Sequence, residues 1–145
     1  MNKGLGFWRT IATEVVILGI LSSPLLSKPK TPLPTVVLAA KRIYLVNQTG
    51  DQHVLDTAYD QFKTWGRFTI ATSKDDADIT AVFSHHYGMD KFGNVSLIEM
   101  DIFAKGSNEP AFVAKSALKL ITAPQHRTKA CIADFKETLE PKNQH

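Results

Sequence analysis

The stretch from Trp65 to Ser84 constrains the fold more than any other, because its hydrophobic period changes there from helical to alternating and an acidic turn interrupts the alternation. Upstream of it, Val54, Leu55, Ala58, Phe62 and Trp65 recur at spacings of three and four, with Asp56, Asp60 and Lys63 turned elsewhere. That spacing predicts an amphipathic helix, begun by a capping box of Thr49 and Gln52 and ended by Gly66 in a left-handed conformation. Phe68 to Thr72 then reads as a strand. After the polar turn Ser73-Lys74-Asp75-Asp76-Ala77-Asp78, Ile79, Ala81 and Phe83 alternate with Thr80 and Val82 in another. Ahead of the helix, Arg42-Ile43-Tyr44-Leu45-Val46-Asn47 is short and rich in branched and aromatic residues, as a strand covered on both faces would be. A strand, a helix and a strand joined by short links predict a parallel pair with a right-handed crossover.

Farther along, Tyr87 to Asn94 holds Gly88 and Gly93 and reads as a hairpin loop. Val95 to Ala104 alternates, with Ile98, Met100 and Ile102 on one face and Leu97, Glu99, Asp101 and Phe103 on the other, the pattern of an antiparallel strand with one wet side. A turn at Gly106–Pro110 leads to a last strand from Ala111 to about Leu120. Pro124 opens a final helix whose stripe is Thr128, Cys131, Ile132, Phe135 and Leu139. The expected fold is a single small α+β domain in the order β-α-β-β-β-β-α, a mixed sheet with two helices on one face.

The first 40 residues differ in character. Lys3 and Arg9 precede an apolar run from Val15 to Leu21, which is followed by Ser22, Ser23, Pro24, Leu25 and Leu26. This is the order of an export signal, and the run falls short of the about 20 apolar residues of a membrane span. Small residues before Ala39 and Ala40 suit cleavage there, with the segment of Pro24, Pro29, Pro32 and Pro34 extended and non-helical. The division expected is therefore a leader and Pro-rich linker over 1–40, cleaved or kept as a membrane tether, and a folded domain over 41–145.

The formal charge of +3 belongs to the leader, where Lys3, Arg9, Lys28 and Lys30 oppose Glu14. Residues 41–145 are neutral, so the basic footprint of a nucleic-acid binder is missing from the domain. Cys131 is the single cysteine, which precludes an internal disulfide and reads as a buried helical residue or, if exposed, a dimerising thiol.

Taken together, Lys41-Arg42-Ile43-Tyr44-Leu45-Val46, the helix ending in Trp65-Gly66-Arg67-Phe68 and the strand entry Ala77-Asp78-Ile79 resemble the amino-terminal domain of TolB and similar small bacterial envelope proteins. Leu97 to Glu109 resembles the strand, turn and strand that follow in them. The resemblance implies a periplasmic interaction domain without catalysis. The sequence departs from that family in having no propeller after the domain and no lipid-attachment cysteine.

For chemistry, His85 and His86 with Asp90 form the one metal-ligand constellation, with Glu99 or Asp101 facing it across the hairpin. Adjacent strand residues point to opposite faces, so both imidazoles can hold one ion only if the strand ends between them. Asp75, Asp76 and Asp78 lack the alternate spacing, glycine and distant glutamate of a calcium loop and suit a turn whose carboxylates bond local backbone. No nucleophile elbow and no glycine-rich phosphate loop occurs, so no catalytic residue and no cofactor is expected. Tyr44, Phe62, Trp65, Phe68 and Phe83 fall on stripes expected to face the core. The function expected is that of an exported, non-catalytic accessory or interaction domain of the cell envelope, with a protein partner or a second copy of itself. A small metal-binding protein or metal-dependent hydrolase at His85, His86 and Asp90 is the alternative, as is a small ligand held in the crevice at the ends of the first two strands.

Overall fold

The computed structural model describes residues 31–90, 93–116 and 123–141. The leader's charges and apolar run, the residues from 117 to Leu120 assigned to the last strand, and Asp90's side chain lie outside them. A short helix α1 (Thr35–Ala39) comes first, then β1 (Arg42–Asn47), α2 (Gln52–Trp65), β2 (Thr69–Ile70), β3 (Ile79–Asp90), β4 (Gly93–Ala104), β5 (Pro110–Lys115) and α3 (Pro124–Leu139). The strands form one sheet in the order β2-β1-β3-β4-β5. β1 runs parallel to both β2 and β3, whereas β3, β4 and β5 are antiparallel neighbours. The α+β class and the strand and helix order expected from the sequence are those observed.

Alternation decides which face is buried. Ile43 of β1, Ile79, Ala81 and Phe83 of β3, Ile98, Met100 and Ile102 of β4 and Ala114 of β5 form one side of the core. Val54, Ala58 and Phe62 of α2 and Cys131, Ile132, Phe135 and Leu139 of α3 form the other. Aromatic rings lock the layers together. Trp65 meets Phe68 and Phe135 edge-on at 5.3 and 5.9 Å, and Phe112 of β5 reaches Phe135 at 5.1 Å. Such pairs add about 0.5–1.5 kcal/mol each beyond the area they bury. Cys131 is sealed in this layer, its thiol directed at the carbonyls of Ile98 and Ala114, and burial pushes it up to about 12. A thiol so placed is inert and cannot reach another chain.

Local chemistry explains several boundaries that differ from the sequence expectation. Thr49 does not cap α2. Its hydroxyl donates to Asn47 Oδ1 at 2.6 Å and accepts the Asp51 amide, which leaves Asp51 as N-cap, its Oδ1 accepting the His53 amide at 2.9 Å. Gln52 bonds Asp56 instead. Gly66, at φ 71°, ends the helix in the left-handed conformation expected of it. Most of the expected hairpin loop is strand: β3 and β4 stay paired as far as Asp90 opposite Gly93, with Gly88 in the ladder across from Val95 and Gly93 at a positive φ. The second strand shrinks to Thr69–Ile70, and β1 has one buried face rather than two. Tyr44 accordingly lies on the opposite face from the core aromatics.

Pro34 keeps the extended conformation expected of the Pro-rich segment, at φ −57° and ψ 145°, but the residues after it join the packed unit. Residues 35–39 form α1, and Leu33, Val37 and Ala40 are buried in the core, Val37 completely. Arg67 Nη2 donates to the Leu38 carbonyl at 2.7 Å. The packed unit therefore begins before residue 41, and cleavage after Ala39 would strip a buried side chain from it.

Two stability outcomes follow. Val37→Ala is expected to cost about 2 kcal/mol by leaving a cavity, read as a lowered denaturant midpoint with unchanged slope. The second concerns Asp78, whose Oδ2 accepts the amides of Lys41 at 2.8 Å and Arg42 at 2.9 Å. These bonds hold its carboxyl below the ordinary 3.8. Asp78→Ala is expected to cost about 1 kcal/mol at pH 7, given the carboxylate's exposure. Because the folded value is depressed, that stabilisation is complete above the unfolded value near 3.8 and disappears as pH falls through the folded one. Urea melts of the two proteins should therefore converge in acid.

Candidate functional site: the open face of the sheet

With both long helices on one side, the other side of the sheet carries Tyr44 and Val46 of β1, Thr80, Val82, Ser84 and His86 of β3, Leu97, Glu99, Asp101 and Phe103 of β4, and Val113 and Lys115 of β5. Thr80 and Leu97 are buried, Val113 and Lys115 are exposed, and the other residues of this face are half-buried. No helix among the described residues covers this face.

Two features occupy it. At the end where β3 begins, the 74–77 turn and the 105–108 turn rise over the sheet and enclose a cavity of about 640 Å³. Val46, Thr80 and Val82 form its floor, and Phe103 is one wall. Farther along β4 stands a charge cluster. Glu99 Oε2 forms an ion pair with Lys115 Nζ at 3.1 Å and lies 3.3 Å from His86 Nδ1, in both cases without hydrogen-bond alignment. Asp101, one turn of the pleat away on the same strand and face, has an Oδ1 sealed from solvent with no hydrogen-bond partner. Burial raises its carboxyl above the ordinary 3.8, Glu99 raises it further, and Lys115 opposes both.

The histidines are not brought together. β3 continues through them, so the pleat sends them to opposite faces. His85 Nε2 lies 3.1 Å from the Thr49 carbonyl and its Nδ1 3.0 Å from Ser96 Oγ, on the helix side, while His86 meets Glu99 on the open side. Asp90 contributes its backbone to the last pair of the hairpin, and its side chain is outside the described residues. No group of three metal-ligating side chains occurs among the described residues. In the acidic turn, Asp76 Oδ2 accepts locally from the Ser73 hydroxyl, whereas Asp78 accepts from the distant amides of Lys41 and Arg42 at the start of β1 rather than from local backbone.

Sequence reasoning placed Glu99 and Asp101 on one face but missed that Lys115 joins them. Register is what brings Lys115 opposite Glu99, and it depends on a bulge at Ile102 and Phe103 that no residue there announces.

No family model and no curated protein matches the chain. Among solved structures, a PelC dodecamer from Paraburkholderia phytofirmans is 13% identical, covering 78% of this chain and 96% of that one, with a TM-score of 0.46. A dodecamer of a PelC point variant from the same organism is 12% identical over 77% and 96%, with a TM-score of 0.49. At these values the likeness carries no argument about role or assembly.

The unpartnered Asp101 yields a signed expectation. Since its folded value is raised, the cost of its charge is fully present above that value and is relieved as pH falls towards the unfolded value near 3.8. Asp101→Asn should thus stabilise the protein at pH 7 by about 0.5 kcal/mol, after discounting for partial exposure, and lose that advantage in acid. Thermal melts at pH 7 and pH 4 measure it.

Proposed function

We propose that this protein is an exported, non-catalytic interaction domain of the cell envelope, and that it holds its partner on the open face of the sheet. The observation that carries the reading is the composition of that face. Half-buried Tyr44, Val46, Val82 and Phe103 and exposed Val113 border the charged group of Glu99, Asp101, His86 and Lys115. An apolar patch rimmed by charge is what a protein partner uses, with burial supplying affinity and the charges selecting the partner.

The order of charge and apolar residues in the leader supports export. The burial of Leu33 and Val37 bears on how the leader is handled. Removal of a leader would have to occur upstream of Leu33 to leave the core whole, and otherwise the leader stays as a tether. No helix among the described residues is long and apolar enough to cross a membrane, so any span would come from residues before them. The metal-binding alternative has less support, because His85 and His86 turn to opposite faces.

Cell fractionation combined with photo-crosslinking tests this reading. A crosslinking residue in place of Val113 or Val82 should trap a specific protein in the envelope fraction, whereas one in place of Lys63 on the outer side of α2 should trap none. Capture of a second copy would identify the partner as the chain itself, and the open edge of β5 suits that geometry. An intact protein confined to the cytosol, with no face-specific adduct, would refute the proposal.

A further inference from the structure

The cavity at the β3 entrance is built from two turns that come from different parts of the chain and are fastened to each other. Lys105, just beyond β4, donates its amide to the Asp78 carbonyl at 2.9 Å and its ammonium to the Asp75 carbonyl. Gly106 makes the turn that follows possible, with φ 77°. The walls are thereby held apart at a set distance over a floor of Val46, Thr80 and Val82, and Thr80 is 6% exposed although no helix lies above it. About 640 Å³ is the volume of a small-molecule site, and an apolar floor with a few convergent polar groups is its usual construction.

The polar groups indicate the ligand's chemistry. Lys74 and Lys105 both line the cavity, with the amides of Gln48 and Asn108 between apolar surfaces. The nearby acids are largely engaged: Asp76 with Ser73, and Asp78 with the Lys41 and Arg42 amides, although its carboxylate still feels Lys105. Asp75 alone lines the cavity as a carboxylic acid, against two ammonium groups. Lys105 spends one donor on a carbonyl, which leaves its charge uncancelled and two donors available. Among the described residues neither lysine forms an ion pair.

We propose that this cavity binds a small amphipathic carboxylate, its anionic head between Lys74 and Lys105 and its apolar body on Val46, Val82 and Phe103. The site occupies the end of the same open face where Val46, Val82 and Phe103 lie, and its occupation does not require a protein partner. A carboxylate head would take charge-assisted hydrogen bonds from both lysines, and the body would bury apolar surface now wet.

Decanoate is a suitable probe, titrated calorimetrically into the full chain. One saturable site per chain is expected, with decyltrimethylammonium bound at least about tenfold more weakly because its charge is reversed. Lys74→Gln and Lys105→Gln should each weaken decanoate about fivefold, and Lys63→Gln should not. Val46→Trp, which fills the cavity from a half-buried strand position, should abolish binding while the protein still melts cooperatively. Should Val46→Trp fail to fold, the exposed Lys74→Gln decides the matter alone. Absence of saturable binding, equal affinity for the two amphiphiles, or binding indifferent to Lys74→Gln would each overturn the proposal. None of these results depends on whether the crosslinking experiment finds a protein partner.

Discussion

Asp78 joins the two halves of the sheet. β3 is the only strand with a parallel neighbour on one side and an antiparallel neighbour on the other, and Asp78 immediately precedes it. Its carboxylate takes the amides of Lys41 and Arg42 at the start of β1, its own amide donates to the Arg42 carbonyl, and its carbonyl accepts the Lys105 amide where β4 ends. Backbone groups at strand ends must be satisfied somewhere, and at this corner one residue satisfies four of them. Parallel pairing of β1 and β3 then brings Ile43 opposite Ile79 and Leu45 opposite Ala81, the register that places their apolar side chains under α2. A slip of one residue would turn that whole set to the wet face.

From this register the asymmetry of the molecule follows. Two helices can cover one side of a five-stranded sheet, and α2 and α3 are tied to each other as well as to it, Trp65 Nε1 reaching Glu140 at 3.2 Å and Arg67 pairing with the same carboxylate at 3.6 Å. The remaining face keeps half-buried apolar side chains beside a charged group. Glu99 and Asp101 are placed two residues apart on one strand, so their repulsion is built into the pleat. Lys115 opposes the charge of both, yet Asp101 Oδ1 remains sealed from solvent without a hydrogen-bond partner.

Periodicity made most of the fold legible. The stripe Thr128, Cys131, Ile132, Phe135 and Leu139 is buried as spacing requires, and Gly66 ends α2 as its position suggests. What escaped were features decided by competition between local and distant partners. Thr49 looks like a cap until Asn47 claims its hydroxyl. Gly88 looks like a loop residue, yet cross-strand pairing with Val95 holds it in the ladder. The residues after Pro34 read as the end of a linker, but they form α1, and Val37 of that helix is fully buried in the core. The candidate site was less legible. Its parts lie on β1, β3, β4 and two turns, and only tertiary register assembles them. The sequence did place Glu99 with Asp101 and the acidic turn beside a strand entry, because those relations are local.

The placement of chain segments along β3 separates the cavity from the hairpin tip. Lys41 lies at the Asp78 end, beside the turn that walls the cavity. β3 runs from that end to Asp90, and at about 3.4 Å per residue the hairpin tip stands roughly 37 Å away. β1 stops opposite Phe83, so among the described residues the outer part of the hairpin has no third strand on that side, and Tyr87 and Met89 there are 71% and 79% exposed. A two-stranded ribbon is marginal by itself. Here it is anchored because its inner half, from Ile79 to Phe83, belongs to the core, and the outer half inherits that register residue by residue. The cavity and the exposed aromatic and thioether side chains thus stand at opposite ends of the same strand, and the stiffness of the central ladder keeps them apart.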